Sequence, residues 1–291
     1  MLMVWSRPRV FWQNDSSGVN QRPDLYPTIA TKVHVYRQSI DRLSSNSITL
    51  SPKTDSEKKL PYTLPLDVLV YCTGWTPLSP LYSASMASAL GLPVSLSDFD
   101  PTKESRWKEL EDLKDADIIS RFPALAHPPA YHKSKSTHTP FRLYRAMVPL
   151  NDIRDHSIVF LGKLVVGNNF RAAEVQGLWA VAYLDGNLYP STLESEPTLL
   201  MKEKTRTEGE VAKTVAWCRR RYLNKGELGS WFYFDMVDYT DMLLAELGLS
   251  SHKPRGWLMD IFAPCRAQDL KDLVAEYKSR FQGFIDPPDF S

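Results

Sequence analysis

The stretch from Ser157 to Pro190, "SIVFLGKLVVGNNFRAAEVQGLWAVAYLDGNLYP", constrains the fold more than any other part of this chain. It opens with a short apolar run, Ser157 to Gly162, of the kind that forms a buried strand. A polar turn follows, in which Gly167, Asn168 and Asn169 tolerate unusual backbone angles. Ala172, Val175, Trp179, Ala182 and Tyr183 then recur at helical spacing, and Gly186 stands where a helix would stop. Strand, tight turn and helix within about thirty residues is the unit from which α/β sheets are assembled.

A second such start lies at residues 67–77, "DVLVYCTGWTP". Asp67 to Tyr71 lacks clean alternation, which suits a strand covered on both faces of a parallel sheet. In an open α/β sheet, a small-residue turn at the carboxyl end of a strand sets backbone amides where ligands bind. Gly74 lets that backbone approach a flat or phosphorylated ligand, because no Cβ occupies the space. The Gly167–Asn169 turn also opens a helix, whose first amides favour an anion or an electron-rich ring carbonyl. From spacing alone, both turns are equally well read as plain strand-to-helix connections.

The remaining chain is read more coarsely. "KVHVYR" (Lys32 to Arg37) and "SITL" (Ser47 to Leu50) have strand character, with Ser44, Ser45 and Asn46 as a turn between. A charged helix, "TKESRWKELEDLKDADIISRF", precedes a proline-rich loop, Pro123 to Pro140, that carries His127, His132 and His138. The histidine spacing fits no standard metal set, so these are read as loop histidines and no metal is expected. Beyond Pro190 three helices are expected: one marked by Val211, Val215, Cys218 and Tyr222, one over Val237 to Leu247, and one marked by Leu270, Leu273, Val274, Tyr277 and Phe281. "CRRRY" (Cys218 to Tyr222) is a solvated basic face or a phosphate contact.

Composition limits the function classes. With 35 Lys+Arg against 34 Asp+Glu in 291 residues, no strong field advertises nucleic acid or an anionic membrane as a partner. Cys72, Cys218 and Cys265 are scattered and show no CxxC pair, which points to reduced thiols in a reducing compartment. No signal peptide and no run of about twenty apolar residues is visible. A cytoplasmic protein without a transmembrane segment is expected.

Four segments together resemble the flavin-containing monooxygenase family, in particular its fungal members. "LDVLVYCTGWTP" is similar to that family's Asp-x-x-x-x-Ala-Thr-Gly-Tyr segment, with Cys72 for Ala and Trp75 for Tyr. "SIVFLGKLVVGNNFRAAEVQGLWAVAYLDGNL" resembles its late strand and Glu-x-Gln helix, with Glu174 and Gln176 at the matching positions. "FRLYRAMVP" and "YTDMLLAELGL" resemble further segments of fungal members.

The resemblance implies an α/β fold that is part of a two-dinucleotide-binding-domain flavoprotein, with an incomplete FAD-domain sheet and a helical C-terminal region. Residues 1–62 would be a remnant of the NADPH-binding domain with connecting strands, and 63–80 the returning strand and turn of the FAD domain. Residues 81–150 would form an inserted lobe and loop, 151–190 the FAD-domain strand-turn-helix, and 191–291 the helical region. It further implies FAD and NADPH as cofactors, and oxygenation of a small, secondary-metabolite type of substrate through a flavin C4a-hydroperoxide. Thr73 and Gly74 would lie against FAD, and Asn168, Asn169 and Phe170 would line the flavin ring. No catalytic side chain is singled out.

One departure is large. Family members carry a GxGxxG turn for the FAD pyrophosphate and another for NADPH, and no GxG occurs here. That turn supplies most of the amides that grip the pyrophosphate, so the chain alone is expected to bind FAD poorly or not at all. A truncated gene model, a split enzyme completed by another chain or a homo-oligomer, and a remnant put to another use all remain open. The competing function is a cofactor-free cyclase or dehydratase using His127, His132 or Tyr131 as acid and base, or a non-catalytic subunit.

Overall fold

The computed structural model describes residues 12, 23–36, 38–51, 62–71, 76–131, 133, 136–151, 153–188, 197–250 and 270–281. The chain divides into two units, residues 15–76 and residues 1–14 with 77–291.

The smaller unit holds helix α1 (Leu25–Lys32) and strands β1 (Ile40–Leu43), β2 (Ser47–Leu50) and β3 (Tyr62–Pro65), paired antiparallel in the order β1-β2-β3. Ser44, Ser45 and Asn46 make the expected turn, closed by the Ser44 amide donating to the Ser47 carbonyl at 2.9 Å. β2 is the expected "SITL" strand, and its Thr49 hydroxyl meets that of Thr63 on β3 at 3.2 Å.

Two expected strands do not form. Lys32 ends α1, and residues 33–36 run on without a partner strand, Val35 being 69% exposed. Residues 67–71 join no sheet either, and Val68, Val70 and Tyr71 are 75%, 74% and 68% exposed. The physical reason is common to both: a strand exists only through hydrogen bonds to a neighbour, and apolar alternation cannot supply the neighbour. Cys72 to Trp75 lie outside the described residues.

In the larger unit come α2 (Ala84–Ala89), α3 (Pro101–Arg121), β4 (Leu143–Tyr144), β5 (Val148–Pro149), α4 (Asn169–Leu184), α5 (Pro197–Tyr222), α6 (Met236–Glu246) and α7 (Leu273–Phe281). α3 starts where Asp100 accepts from the Thr102 amide at 2.9 Å and Pro101 takes the first helical position, which needs no N–H. α4 forms as its periodicity predicts. Val175, Trp179 and Ala182 are fully buried, and Gly186 adopts φ +70° just past the helix end.

α4 packs against Leu243 and Leu244 of α6, and Met147, Val148, Leu270 and Leu273 complete that core. Val211, Val215, Cys218 and Tyr222 are likewise buried along α5, as their spacing requires, whereas Val274 of α7 faces outward at 54% exposure. Ser157 to Gly162 is extended without being a strand, tied by the Phe160 amide to the Met147 carbonyl at 2.8 Å. A single parallel bridge joins Val165 to Trp231. The fold is mixed helix and strand, compatible with α/β, and its sheets among the described residues are antiparallel.

Candidate functional site

Asn168, Asn169 and Phe170 come together at the N-terminus of α4. Asn168 is extended, at φ −132° and ψ 96°, and its side-chain oxygen accepts from the Arg171 amide at 3.2 Å. Its carbonyl takes the Ala172 amide at 3.3 Å. The amides of Asn169 and Phe170, at the first two helical positions, form no hydrogen bond among the described residues and point along the positive end of the helix. Phe170 is 90% exposed, and Leu161 and Val165 nearby in sequence are also exposed.

An exposed aromatic ring beside two free amides suits a flat ring system with an electron-rich edge, so the residues present fit the isoalloxazine part of FAD. They include no glycine-rich turn to fit its pyrophosphate. Thr73 and Gly74, the other turn expected at this cofactor, lie outside the described residues.

The two helix residues Glu174 and Gln176 separate in role. Glu174 is exposed, while Gln176 is buried. The Gln176 side chain accepts from the Gly162 amide at 3.4 Å and donates to the Tyr239 hydroxyl at 2.8 Å, which ties the loop before α4 to α6. Arg171, buried at 6% exposure, extends the same tie through Thr240 and Asp241, each at 3.0 Å.

The Gln176 link leads to residues of "YTDMLLAELGL" and "FRLYRAMVP", segments that carry the family resemblance but to which no role was assigned from sequence. Tyr239 donates onward to the Arg145 carbonyl at 2.9 Å. Arg145 and Ala146, in the turn between β4 and β5, both sit in the left-handed region, at φ 51° and 57°. That conformation costs non-glycine residues about 1–2 kcal/mol each. The Arg145 guanidinium bridges Glu246 at 2.6 Å and Glu210 at 2.8 Å, and lies over the Tyr144 ring at 4.4 Å from its centroid. Burial pulls the Arg145 pKa down, but the charge and hydrogen bond of Glu246 outweigh it and the net shift is upward. Burial pushes the Tyr144 hydroxyl up to about 12, so it stays protonated at neutral pH.

Among the described residues, those of the acid-base alternative form no hydrogen bond with one another. His127 is exposed, Tyr131 packs beside Leu125 and Leu223, and His132 lies outside the described residues. His138 pairs through Nδ1 with the neighbouring Thr137 hydroxyl at 2.9 Å. Nor is "CRRRY" free for a phosphate: Arg220 grips Asp115 with two nitrogens, Arg219 pairs with Glu111 and Glu227, and Arg221 lies over the Phe234 ring at 5.8 Å. Burial raises the Cys218 thiol well above the ordinary range, and Cys218 donates to the Trp231 carbonyl at 3.4 Å. It is a core residue, as expected for this cysteine, while Cys72 and Cys265 lie outside the described residues.

Comparison with known proteins gives one consistent result. The chain is 29% identical over 278 residues to an FAD-dependent monooxygenase of Aspergillus sclerotiorum, covering 94% of this chain and 45% of that protein. It is 31% identical over 250 residues to an FAD-dependent monooxygenase of Pyrenophora dematioidea, covering 84% and 42%, and 28% identical over 286 residues to one of Fusarium langsethiae, covering 94% and 45%. It therefore spans less than half the length of these relatives. No protein-family profile and no solved structure matches the chain. Over the length it shares with them, the chain is similar to fungal FAD-dependent monooxygenases.

Proposed function

We propose that this chain forms the ring-side part of an FAD-dependent monooxygenase that uses NADPH and dioxygen to oxygenate a small organic substrate. The observation that carries the reading is the N-terminus of α4, where Asn168 caps the helix and leaves the Asn169 and Phe170 amides and the Phe170 ring open. When bound, FAD supplies the redox chemistry, and the protein's share is orientation and exclusion of water. On this reading the Asn169 and Phe170 amides hold the electron-rich edge of the isoalloxazine and the Phe170 ring shields one side of it.

No GxG occurs in the given sequence, so on this reading the FAD pyrophosphate is held by a glycine-rich turn outside these residues. The kinship with fungal monooxygenases supports a small-molecule substrate, and no helix among the described residues is long and apolar enough to cross a membrane.

The ring-side assignment is testable without the pyrophosphate loop, using lumiflavin, which consists of the ring system alone. Its fluorescence should be quenched on titration with the chain. Asn169→Pro is the informative variant. Proline suits the first helical position and the extended Asn168 before it, so α4 should survive while one amide is lost. We expect this variant and Phe170→Ala each to weaken lumiflavin binding about fivefold or more, the loss of roughly one hydrogen bond or ring contact. Absence of quenching by the unmodified chain, or equal quenching by both variants, would sink the assignment.

A further inference from the structure

Residues 141–149, "FRLYRAMVP", include none of the groups assigned to the flavin, yet they contain two consecutive non-glycine residues in the left-handed region. Strain of this kind persists only where the surroundings fix it, and it gathers at ligand sites. Here the fixing groups are Glu210, Glu246 and Tyr239, which hold Arg145 from three directions. The strained turn forms one wall of an open cavity of about 570 Å³, lined elsewhere by α5, α6 and the residues just before α6. That volume lies in the range of sites for small organic ligands.

The lining is aromatic on its walls and acidic in its polar groups. Tyr144, Trp217, Phe232 and Tyr239 supply ring surface. Glu210, Asp235 and Asp238 face Arg145 and Lys213, so carboxylates outnumber cations. The Arg145 charge is already taken up between Glu210 and Glu246, and Lys213 is exposed, free to turn its ammonium to solvent. On the acidic side one carboxylate remains wholly open. Asp238 has no hydrogen-bond or ion-pair partner among the described residues. Glu210 Oε2 is buried and engaged by the Arg145 guanidinium at 2.8 Å. Asp235 uses Oδ2 for the Trp217 indole N–H, at 3.1 Å, and for the Tyr222 hydroxyl.

We infer that this cavity binds a small ring-containing organic molecule that carries a cationic nitrogen. The aromatic walls take the ring, and the ammonium or protonated amine meets the open carboxylate of Asp238 against π faces that also attract a cation. An anionic ligand of the same shape meets net repulsion there and leaves that carboxylate without a donor. The inference does not rest on the flavin reading, because neither the cavity nor its charge involves the N-terminus of α4.

Two probes that share one ring and differ in charge decide the matter: 2-naphthylmethylammonium and 2-naphthoate, titrated into the full chain by calorimetry. The ammonium should bind about tenfold or more tighter than the carboxylate, as opposite-charge contacts partly shielded from water allow. Met242→Trp, which fills the cavity from α6, should abolish binding of the ammonium while the circular dichroism of the chain is kept. Asp238→Asn, at an exposed position with no partner to lose, should weaken the ammonium roughly two- to fivefold and leave neutral 2-naphthylmethanol unchanged. The inference is overturned if 2-naphthoate binds as tightly as the ammonium, if neither binds, or if both variants bind the ammonium as the unmodified chain does.

Discussion

At the residue scale, the glycines separate two kinds of demand that composition cannot distinguish. Gly186 is needed for its backbone angle: φ is +70°, and an added Cβ there would meet nothing within 4 Å. Gly226 is needed for space, because a Cβ would run into the Cys218 carbonyl oxygen, which is backbone at the end of α5 and cannot swing aside. Gly186→Ala should therefore cost about 1–2 kcal/mol, the penalty of a side chain in the left-handed region. Gly226→Ala should cost about 3 kcal/mol or more, because the turn after α5 must shift and disturb the buried Tyr222 and Leu223. Urea unfolding of the two variants checks the order, and equal midpoints would contradict it. Gly186 was legible in the sequence as a helix stop, since the apolar period ends just before it. Gly226 was not, because close approach of two backbones leaves no local pattern. The same holds for Arg145, whose strained turn depends on partners roughly sixty-five to a hundred residues away in the chain.

At the scale of elements, the helices were readable and the partners of their charged faces were not. The spacing of Val211, Val215, Cys218 and Tyr222 gives the buried stripe of α5 directly, since one face of a helix repeats locally. The acidic and basic residues of "TKESRWKELEDLKDADIISRF" and "CRRRY" look like two solvated faces when each is read alone. In the structure they form the seam between α3 and α5. Glu111 lies at its centre, 4% exposed, held by Arg142 at 3.4 Å and by Arg219, and Arg142 reaches Glu104 at 2.9 Å. Arg142 is itself buried and stacks over Trp107 at 4.9 Å, so losing Glu111 would leave its charge under-compensated away from water. Glu111→Ala should destabilise the chain by about 3–5 kcal/mol. Arg106 pairs with Glu208 on the same seam but is 57% exposed, and Arg106→Ala should cost less than about 1 kcal/mol. Denaturant midpoints that rank the two variants the other way would show that the seam is held by its apolar contacts instead.

At the scale of the whole molecule, what the sequence could not reveal is whether an apolar segment finds a neighbour. α4 needs only α6 and the loops around it, all present within 120 residues of chain, and it forms as expected. "DVLVY" has the composition of a strand covered on both faces, yet in this chain it stays outside the sheets with Val68, Val70 and Tyr71 exposed. Among the described residues no strand lies beside it. This gives the proposed glycine-rich turn outside the given sequence a measurable signature. In the isolated chain, amides 68–71 should exchange with deuterium near the rate of unstructured peptide, because among the described residues they make no hydrogen bond, while the paired amides of β2 are protected. Co-expression with a polypeptide that carries a glycine-rich dinucleotide turn should change both readouts at once: flavin colour appears, and amides 68–71 become protected as they enter a ladder. Flavin bound while 68–71 still exchange freely would separate this segment from the cofactor domain, and protection of 68–71 in the isolated chain would mean that the strand needs no second polypeptide.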